Sequence, residues 1–206
     1  MGLKLGILGG TFDPPHLGHL LLAEAVAEAL SLARVLFTPA ADPPHKQEVT
    51  KTPARHRRRM VELAIAGNPV FELCTLDLER PGPHFSVETV SLIRQQHHLP
   101  ADDCFFIIGG DSLADLPTWH QPAQLINLCR LAVVHRPGYR PDLSRLEMEI
   151  PGLGRRLAWV EAPLMELSAS EIRARAAAGR TIRYRVPEPV QAYIEQHHLY
   201  QITNDE

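Results

Sequence analysis

Residues 6–20 read "GILGGTFDPPHLGHL", an apolar run that breaks into glycines, then prolines and histidines, before a leucine-rich segment. The pattern predicts a buried strand at residues 3–9 and an amphipathic helix at residues 19–30. Glycine tolerates sharp turns and lets a ligand approach bare backbone, so Gly9 and Gly10 suit the turn between these elements. The stretch therefore predicts a strand–turn–helix unit whose turn is open to a ligand.

Short apolar runs and longer helical patterns alternate along the rest of the chain. The strand-like runs lie at residues 33–39, 71–76, 103–111, 129–138 and 155–163, and the helical patterns at residues 53–66, 86–97, 168–179 and 187–198. Strands fed by helices predict an α/β fold, a doubly wound parallel sheet with helices on both faces. We expect a single domain over residues 1–200, with a small C-terminal helical portion at about 168–200 and a loose tail at 201–206.

Composition limits the possible functions. The chain has 206 residues, of which 45% are hydrophobic and 22% charged, an ordinary globular balance. Its net charge of −3 gives no global attraction for nucleic acid or anionic lipid, so any anion site must be local. No run approaches the ~20 apolar residues of a membrane span, and no signal-peptide pattern is present, so we expect a cytoplasmic protein. Cys74, Cys104 and Cys129 show no C-x-x-C spacing and are expected to be buried free thiols.

Two histidines stand at the expected mouth of the first helix. That helix begins near His16 or Leu17, where unpaired N–H groups and the positive end of the dipole form a seat for phosphate. His16 and His19 share one helix face, so two imidazoles are expected to flank an anion site. A neighbouring anion favours the charged imidazole, so we expect both rings to be held more cationic. The spacing matches neither a P-loop, nor the dinucleotide fingerprint, nor a zincin.

A series of motifs extends this pattern. "GGTFDPPHLGHL" resembles the signature of nucleotidyltransferases with an H-x-G-H or T-x-G-H motif, and its exact form resembles the bacterial nicotinate-nucleotide adenylyltransferases. Further matches follow in the expected order: "PAADPPHK" at 39–46, "FIIGGDSLADLPTWH" at 106–120, "VVHRPG" at 133–138, "LSASEIRAR" at 167–175 and "VPEPVQAYI" at 186–194. The resemblance covers nearly the whole chain. It implies a Rossmann-like enzyme of NAD biosynthesis that joins ATP and nicotinate mononucleotide into deamido-NAD and releases pyrophosphate.

The resemblance also implies where ATP binds. His16 and His19 would contact its phosphates, and Arg173 would stabilise the pentavalent phosphorus and the departing pyrophosphate. The further ATP contacts are assigned to backbone groups of Gly9, Gly10, Thr11 and Phe12, to the Asp111 side chain, and to the hydroxyls of Ser168 and Ser170. Ser168 or Ser170 would also cap the following helix, and Asp111 is alternatively a cap of the next turn. Because the attacking phosphate is already ionised, in-line transfer needs positioning and preorganised charge, with no covalent intermediate.

The mononucleotide is assigned to the loops. Lys46 of "PPHK" would face its phosphate, Trp119 would stack on the pyridine ring, and Arg136 is a further phosphate candidate. Phe85 and Ser86 stand where the family has tyrosine and threonine near the nicotinate carboxylate. The substitutions remove a phenol and keep a hydroxyl, so the preference for nicotinate over nicotinamide would depend on that hydroxyl and on backbone N–H donors.

Other interpretations stay open. Asp13 is either a metal ligand or a helix cap, the cap being favoured by the prolines that follow. Mg²⁺ is implied by ATP and keeps mainly to its phosphates, so we expect no dedicated metal site. Most of the arginines at residues 55–59 fit a solvated helix face, with RNA binding as a minor alternative.

Rival functions are transfer to nicotinamide mononucleotide or another phosphorylated acceptor, such as phosphopantetheine. A nucleotide-binding module without turnover is the non-enzyme alternative. It predicts loss of His19, Lys46 or Arg173, and all of these are present. Beyond ATP and nicotinate mononucleotide, we expect no nucleic-acid or membrane partner, and a homo-oligomer is compatible with the sequence.

Overall fold

A computed structural model of the chain describes residues 2–41, 51–135, 141–162 and 165–201. Within these residues, one sheet contains β1 (Leu5–Gly10), β2 (Arg34–Pro39), β3 (Phe71–Leu73), β4 (Cys104–Gly109), β5 (Arg130–His135) and β6 (Leu157–Glu161). The strand order is β3-β2-β1-β4-β5-β6, and every pairing is parallel. The chain runs outward from β1 in both directions, so the sheet is doubly wound, as predicted.

Helices cover both faces of this sheet. They are α1 (Leu17–Leu30), α2 (Ala54–Ile65), α3 (Leu76–Glu79), α4 (Ser86–His97), α5 (Gly110–Ala114), α6 (Pro122–Leu128), α7 (Leu143–Glu149), α8 (Ala169–Ala177) and α9 (Glu188–Gln196). Buried residues of α1, α2, α8 and α9 belong to one core cluster, and those of α4, α5, α6 and α7 to a second. The two clusters are the two layers of helix that the fold class requires.

Alternation along the strands separates the two clusters. In β4, Phe105 and Ile107 pack into the first cluster, whereas Phe106 and Ile108 pack into the second. Successive side chains of a strand point to opposite faces, so a strand that is apolar throughout, like this one, must be covered on both sides. Burial of each such side chain contributes roughly 1.5–3 kcal/mol. The continuous apolar runs in the sequence are therefore explained by a doubly covered sheet.

Most predicted elements occur close to their expected limits. The helices expected at residues 86–97 and 53–66 are α4 and α2. Gly179 follows Ala178, the C-cap residue of α8; its φ is +64°, the left-handed conformation that glycine favours after a helix, and its N–H donates to the Ala176 carbonyl over 3.0 Å. The strand expected at residues 71–76 ends early, at Leu73, because the chain turns into the short helix α3.

The cysteines agree in part with the expectation of buried free thiols. Cys104 and Cys129 are buried free thiols, and Cys74 is a partly buried one. Burial raises the pKa of Cys104 to about 12, so this group stays protonated and has no nucleophilic role at neutral pH. Over the described ranges, none of the helices has the length and apolar character needed to cross a bilayer.

Candidate active site

A cavity of about 450 Å³ opens at the carboxyl ends of β1, β2 and β4. Residues singled out from the sequence form part of its wall: Gly9, Gly10, Thr11, His19, Phe85, Ser86 and Trp119. The Ala40 N–H donates to the Gly10 carbonyl over 3.0 Å, which joins the ends of β1 and β2. The glycine turn is thus fixed at the edge of the sheet where ligands of this fold class bind.

His16 and His19 form a stacked pair at the mouth of α1. Their ring centroids are 3.6 Å apart with planes 23° apart, and His16 is the N-cap residue of the helix. The His16 N–H donates to Nδ1 of His19 over 3.1 Å. His16 is buried, with 8% of its surface exposed, and of the two only His19 lines the cavity. The rings are therefore together, with His16 on the protein side of His19.

Gly18 makes room for this pair. A Cβ at Gly18 would lie 3.1 Å from Nδ1 and 3.2 Å from Cε1 of His16, closer than most side-chain contacts. A glycine inside a helix costs about 1 kcal/mol relative to alanine, so its presence here needs a compensating reason. The space taken by the His16 ring is that reason. Gly18 was not singled out from the sequence, although it stands inside "HLGH".

The first turn of α1 offers fewer N–H donors than the sequence predicts. The Leu17 N–H donates to the Arg185 carbonyl over 3.0 Å, and the His19 N–H to the His16 carbonyl over 2.9 Å. The prediction that unpaired helix N–H groups seat a phosphate is wrong for these two donors. The segment before α9 folds back onto the helix start and satisfies the first of them, which no local pattern indicates.

The charge predicted for the two imidazoles concerns rings beside a bound phosphate and stays a prediction; the rings by themselves are neutral. Burial lowers the pKa of His16 to about 4, because the charged form loses its water. Nδ1 of His19 accepts a backbone hydrogen bond, which an imidazolium, protonated on both nitrogens, cannot do. Both rings are therefore neutral, and His19 carries its proton on Nε2.

The Phe12 side chain packs against the glycine turn on its buried side. Its ring is 2% exposed and meets the His19 ring edge-on, with centroids 5.0 Å apart. A Cβ at Gly10 would lie 3.1 Å from the Phe12 ring, which would have to shift to make room for it, so glycine suits this packing. Phe12 has a φ of +50°, which is uncommon for an aromatic residue. The ring is therefore buried, and only the backbone of Phe12 is left to face a ligand.

Asp13 ties three distant segments together. Its buried carboxylate accepts hydrogen bonds from the Tyr200 hydroxyl over 2.7 Å and from the Thr52 N–H over 3.1 Å. Its carbonyl accepts a hydrogen bond from Nη1 of Arg173 over 2.7 Å. The prediction of a helix cap is wrong because His16 takes that position. In the described part of the chain Asp13 belongs to no group of side chains suited to a metal.

The start of α8 agrees in part with its prediction. The Ser168 hydroxyl accepts a hydrogen bond from the Glu171 N–H over 3.1 Å, which confirms this serine as the cap. Ser170 lies inside the helix and is exposed. Neither serine lines the cavity. Arg173 is partly buried and reaches the loop between β1 and α1 through Asp13.

Aromatic rings gather at the other end of the cavity. Phe85, the N-cap residue of α4, stacks on His120 with ring centroids 4.1 Å apart. Trp119 is partly buried in the segment after β4 and meets Phe106 edge-on at 6.0 Å, at the loop position expected for it. Asp111 is exposed in α5 and lies outside the cavity wall. Lys46 and Arg136 fall outside the described residues.

A buried ion pair below these rings was missed from the sequence. Asp77 is 4% exposed, lines the cavity and accepts a hydrogen bond from Nε of Arg80 over 2.9 Å. The Thr89 hydroxyl lies 3.0 and 2.9 Å from its two carboxylate oxygens. Arg80 also donates to Thr89 and to Glu88, each over 3.1 Å. The network joins α3 to α4 and leaves a compensated carboxylate at the cavity wall.

Arg57 is an exception to the predicted solvated basic face. It is 1% exposed, and its guanidinium donates to four backbone carbonyls, at Thr52, Thr11, Ala40 and Ala41. Arg58 and Arg59 do fit the prediction, because they are about half exposed and pair with Glu62. The α-helix that carries them places Arg57 on its buried side.

Comparison with known proteins identifies the family. Residues 7–175 match the cytidylyltransferase-like family model. A "Probable nicotinate-nucleotide adenylyltransferase" of Thermomicrobium roseum is 47% identical over 197 residues, covering 96% of this chain and 91% of the relative. A relative of the same name from Roseiflexus sp. is 44% identical, covering 95% of this chain and 97% of its own length. The chain belongs to the nicotinate-nucleotide adenylyltransferase family.

Solved structures show the fold of this adenylyltransferase family in more distant proteins. The nicotinic acid mononucleotide adenylyltransferase of Plasmodium falciparum complexed with NaAD has a TM-score of 0.77 at 18% identity, covering 97% of this chain and 98% of that one. Its complex with APC has a TM-score of 0.75, also at 18% identity and with the same coverage. The resemblance stated from the motifs is thus confirmed for both family and fold.

No metal centre accompanies the cavity of this adenylyltransferase within the described ranges. There, the side chains of His, Cys, Asp and Glu form no group that could hold a metal ion. Asp13 and Asp77, the buried carboxylates nearest the glycine turn and the cavity wall, are already engaged by protein donors. The described residues therefore do not fit a resident cation.

Proposed function

We propose that this protein transfers the adenylyl group of ATP to nicotinate mononucleotide, giving deamido-NAD and pyrophosphate in NAD biosynthesis. The observation that carries the proposal is family membership over nearly the full chain. The cavity supports it, because a glycine turn, an imidazole donor and an indole line one space of about 450 Å³. A volume of this order suits ligands of nucleotide size.

The proposed reaction is a direct in-line displacement. A phosphate oxygen of nicotinate mononucleotide forms a bond to the α-phosphorus of ATP, and the bond from that phosphorus to the bridging oxygen of pyrophosphate breaks. The nucleophile is already ionised at neutral pH, so no general base is needed. The protein has to align two anions and stabilise the charge that develops on the transferred group.

Donors at the glycine turn and α1 carry the triphosphate in this proposal. The neutral His19 ring carries its proton on Nε2, since its Nδ1 accepts a hydrogen bond from the His16 N–H. Arg173 supplies a fixed positive charge next to the loop of Asp13, and its fork suits bidentate contact with phosphate oxygens. His16 then acts mainly by holding the His19 ring. Backbone groups of Gly9 to Phe12, the Asp111 carboxylate at the ribose, and the hydroxyls of Ser168 and Ser170 complete the proposed ATP site.

The acceptor occupies the aromatic end of the cavity in this proposal. Trp119 presents its indole to the pyridine ring, and Phe85 and Ser86 lie at the start of α4, where backbone and hydroxyl donors can meet the nicotinate carboxylate. Lys46 and Arg136 are proposed for the acceptor phosphate. Magnesium enters as part of the MgATP substrate and keeps to its phosphates, since the described side chains form no cation site.

One experiment tests the acceptor directly. Purified protein is given MgATP with nicotinate mononucleotide, nicotinamide mononucleotide or phosphopantetheine in separate reactions, and pyrophosphate release is measured. A reaction without acceptor corrects for ATP hydrolysis. We expect kcat/KM to be highest for nicotinate mononucleotide by at least about ten-fold, the effect of one well-placed charged hydrogen bond. Equal or faster turnover of either other acceptor would contradict the proposed substrate.

A further inference from the structure

Arg57 is the largest of the fully buried side chains in the described ranges, and its charge needs an explanation. It lies in the first turns of α2, and 1% of its surface is exposed. A buried guanidinium costs several kcal/mol unless its N–H groups are satisfied. Nε donates to the Thr52 carbonyl over 2.9 Å, and Nη2 to the Ala41 carbonyl over 3.2 Å. Nη1 donates to two further carbonyls, at Thr11 over 2.9 Å and at Ala40 over 2.7 Å.

These carbonyls belong to the loops that begin the cavity. Thr11 follows β1 and Ala40 follows β2, and both residues line the cavity wall. The Ala40 N–H also donates to the Gly10 carbonyl over 3.0 Å. The guanidinium therefore holds the ends of the two central strands in one fixed relation. An apolar side chain of the same size would fill the space and leave several partly buried carbonyls without this donor.

The hydrogen bond to Thr11 fixes the orientation of the next N–H group. In a trans peptide the carbonyl and the N–H point in opposite directions, so the Phe12 N–H faces away from Arg57. Phe12 is 2% exposed, and within the described ranges its N–H donates to no backbone carbonyl of the loops and turns. The Phe12 N–H belongs to the glycine turn, which the proposed function assigns to binding of the ATP phosphates.

We propose that Arg57 is a positioning residue for ATP: it holds the Thr11 carbonyl and thereby presents the Phe12 N–H to a phosphate oxygen. The inference rests on the proposed function and adds a residue to it. Phe12 has a positive φ of +50°, which its surroundings have to stabilise, and the guanidinium contacts the carbonyl of the peptide that precedes it. Arg57 does not touch substrate in this assignment.

Asp13 holds the same turn from its other side. Its carboxylate accepts a hydrogen bond from the Thr52 N–H over 3.1 Å, while the Thr52 carbonyl accepts one from Arg57 over 2.9 Å. The backbone of Thr52 is therefore hydrogen-bonded to both Asp13 and Arg57. Displacement of the guanidinium is expected to move Thr11 and Phe12 together, because Asp13 follows them directly in the chain.

The test compares two adjacent arginines of α2. Arg57→Lys keeps the charge, but its single ammonium group cannot reach all of the carbonyls that the guanidinium contacts. Arg57→Met removes the charge. Arg58→Lys and Arg58→Met are the matched controls, because Arg58 is about half exposed and pairs with Glu62. Affinity for MgATP is measured by titration calorimetry without acceptor, and KM and kcat are measured at a temperature where circular dichroism shows folded protein.

We expect Kd and KM for ATP to rise at least about ten-fold in both Arg57 variants, the effect of one lost charged hydrogen bond. KM for nicotinate mononucleotide should change by less than about three-fold, and the Arg58 variants should match the wild type. A merely structural role would lower the folded fraction and hence the apparent kcat, and would leave KM for ATP unchanged.

Three outcomes overturn the assignment: unchanged ATP affinity in the folded Arg57 variants, loss of folding in both variants, and absence of ATP binding to the wild type. ATP affinity within about two-fold of wild type in the folded Arg57 variants would show that the turn does not depend on the guanidinium. If only Arg57→Met fails to fold, Arg57→Lys decides the question. Loss of folding in both variants would make Arg57 a requirement of the fold. Wild-type protein that binds ATP without transferring it to nicotinate mononucleotide contradicts the proposed function alone, whereas absence of ATP binding contradicts both.

Discussion

The His16 N–H donates to Nδ1 of His19 over 3.1 Å, and the two imidazole rings stack with centroids 3.6 Å apart. The bond fixes the tautomer of His19, because a nitrogen that accepts must lack a proton. Stacking against the buried His16 limits rotation of the His19 ring. The remaining nitrogen, Nε2, is thereby a donor of fixed position before any substrate arrives, which is the condition for preorganised charge stabilisation.

His19→Ala is expected to lower kcat about 100-fold, the usual effect of removing one preorganised donor. His19→Gln should keep more of the activity, because its side-chain amide can place an N–H near the position of Nε2. Loss of the acceptor for the His16 N–H should cost about 1 kcal/mol in the free energy of unfolding, measured in urea. A kcat for His19→Ala within about three-fold of wild type would remove His19 from the reaction.

Gly18→Ala is expected to act through His16. The new Cβ would meet Nδ1 and Cε1 of His16 at 3.1 and 3.2 Å and displace the ring, so kcat/KM should fall about ten-fold. The free energy of unfolding should change by less than about 1 kcal/mol, because alanine favours the helix while the contact opposes it. The double variant with His16→Ala is the control: it should be no less active than His16→Ala alone, and an additive loss would exclude this route.

Stability should depend on pH through His16. The pKa of His16 is about 4 in the folded protein because of burial, against about 6.5 in the unfolded chain. Between these values the unfolded state binds more protons, so the free energy of unfolding should fall as pH is lowered from about 6.5 to about 4. At 1.36 kcal/mol per pKa unit, the loss is on the order of 3 kcal/mol. Urea unfolding of wild type and His16→Asn across this range measures it, and equal slopes would contradict the assignment.

The strands and the long helices could be predicted from the sequence, whereas the short helices could not. Apolar runs and helical periodicity located the strands and the long helices, because both patterns reflect burial on the faces of one sheet. Helices α3, α5, α6 and α7 were missed, since none exceeds seven residues and such lengths show too few turns for a period to appear. Their positions follow from the tertiary packing of the second core cluster.

The candidate site was predictable where its chemistry is local. The glycine turn, the histidine pair and the loop tryptophan each lie within a short motif. The Asp13–Tyr200 hydrogen bond, by contrast, joins residues 187 positions apart. Arg57 did carry a local signal. It stands four residues before Val61 and seven before Ala64, on the apolar stripe of α2. Its charge suggested solvent, and the carbonyls that satisfy it come from loops far away in sequence.

Tyr200→Phe is expected to destabilise the protein by about 1–3 kcal/mol. The substitution removes the hydroxyl that donates to the buried Asp13 carboxylate over 2.7 Å, and the carboxylate is left with the Thr52 N–H. Burial, followed by the Asp13 charge, raises the pKa of Tyr200, so the phenol is a donor over the whole working pH range. Urea unfolding measures the change. Tyr184→Phe, at a residue 78% exposed, is the control and should differ from wild type by less than about 0.5 kcal/mol.

Arg80→Gln is expected to weaken the preference for a carboxylate-bearing acceptor. Asp77 lies in the cavity wall at 4% exposure, and Arg80 compensates its charge through a contact of 2.9 Å. Without Arg80, the uncompensated carboxylate repels the nicotinate group, whereas the neutral nicotinamide group is little affected. The ratio of kcat/KM for nicotinate mononucleotide to that for nicotinamide mononucleotide should fall about ten-fold, as determined from pyrophosphate release.

A second substitution distinguishes the effect of the Asp77 charge from a structural change in the cavity wall. Asp77→Asn in the Arg80→Gln background removes the repelling carboxylate, and its amide can still accept from the Thr89 hydroxyl, so the ratio should return toward that of wild type. Glu88→Gln tests the exposed end of the same network, where Arg80 meets a side chain 46% exposed, and should leave the ratio unchanged. If the double variant keeps the low ratio, Arg80 acts by holding the α3–α4 connection in place and not through the charge of Asp77.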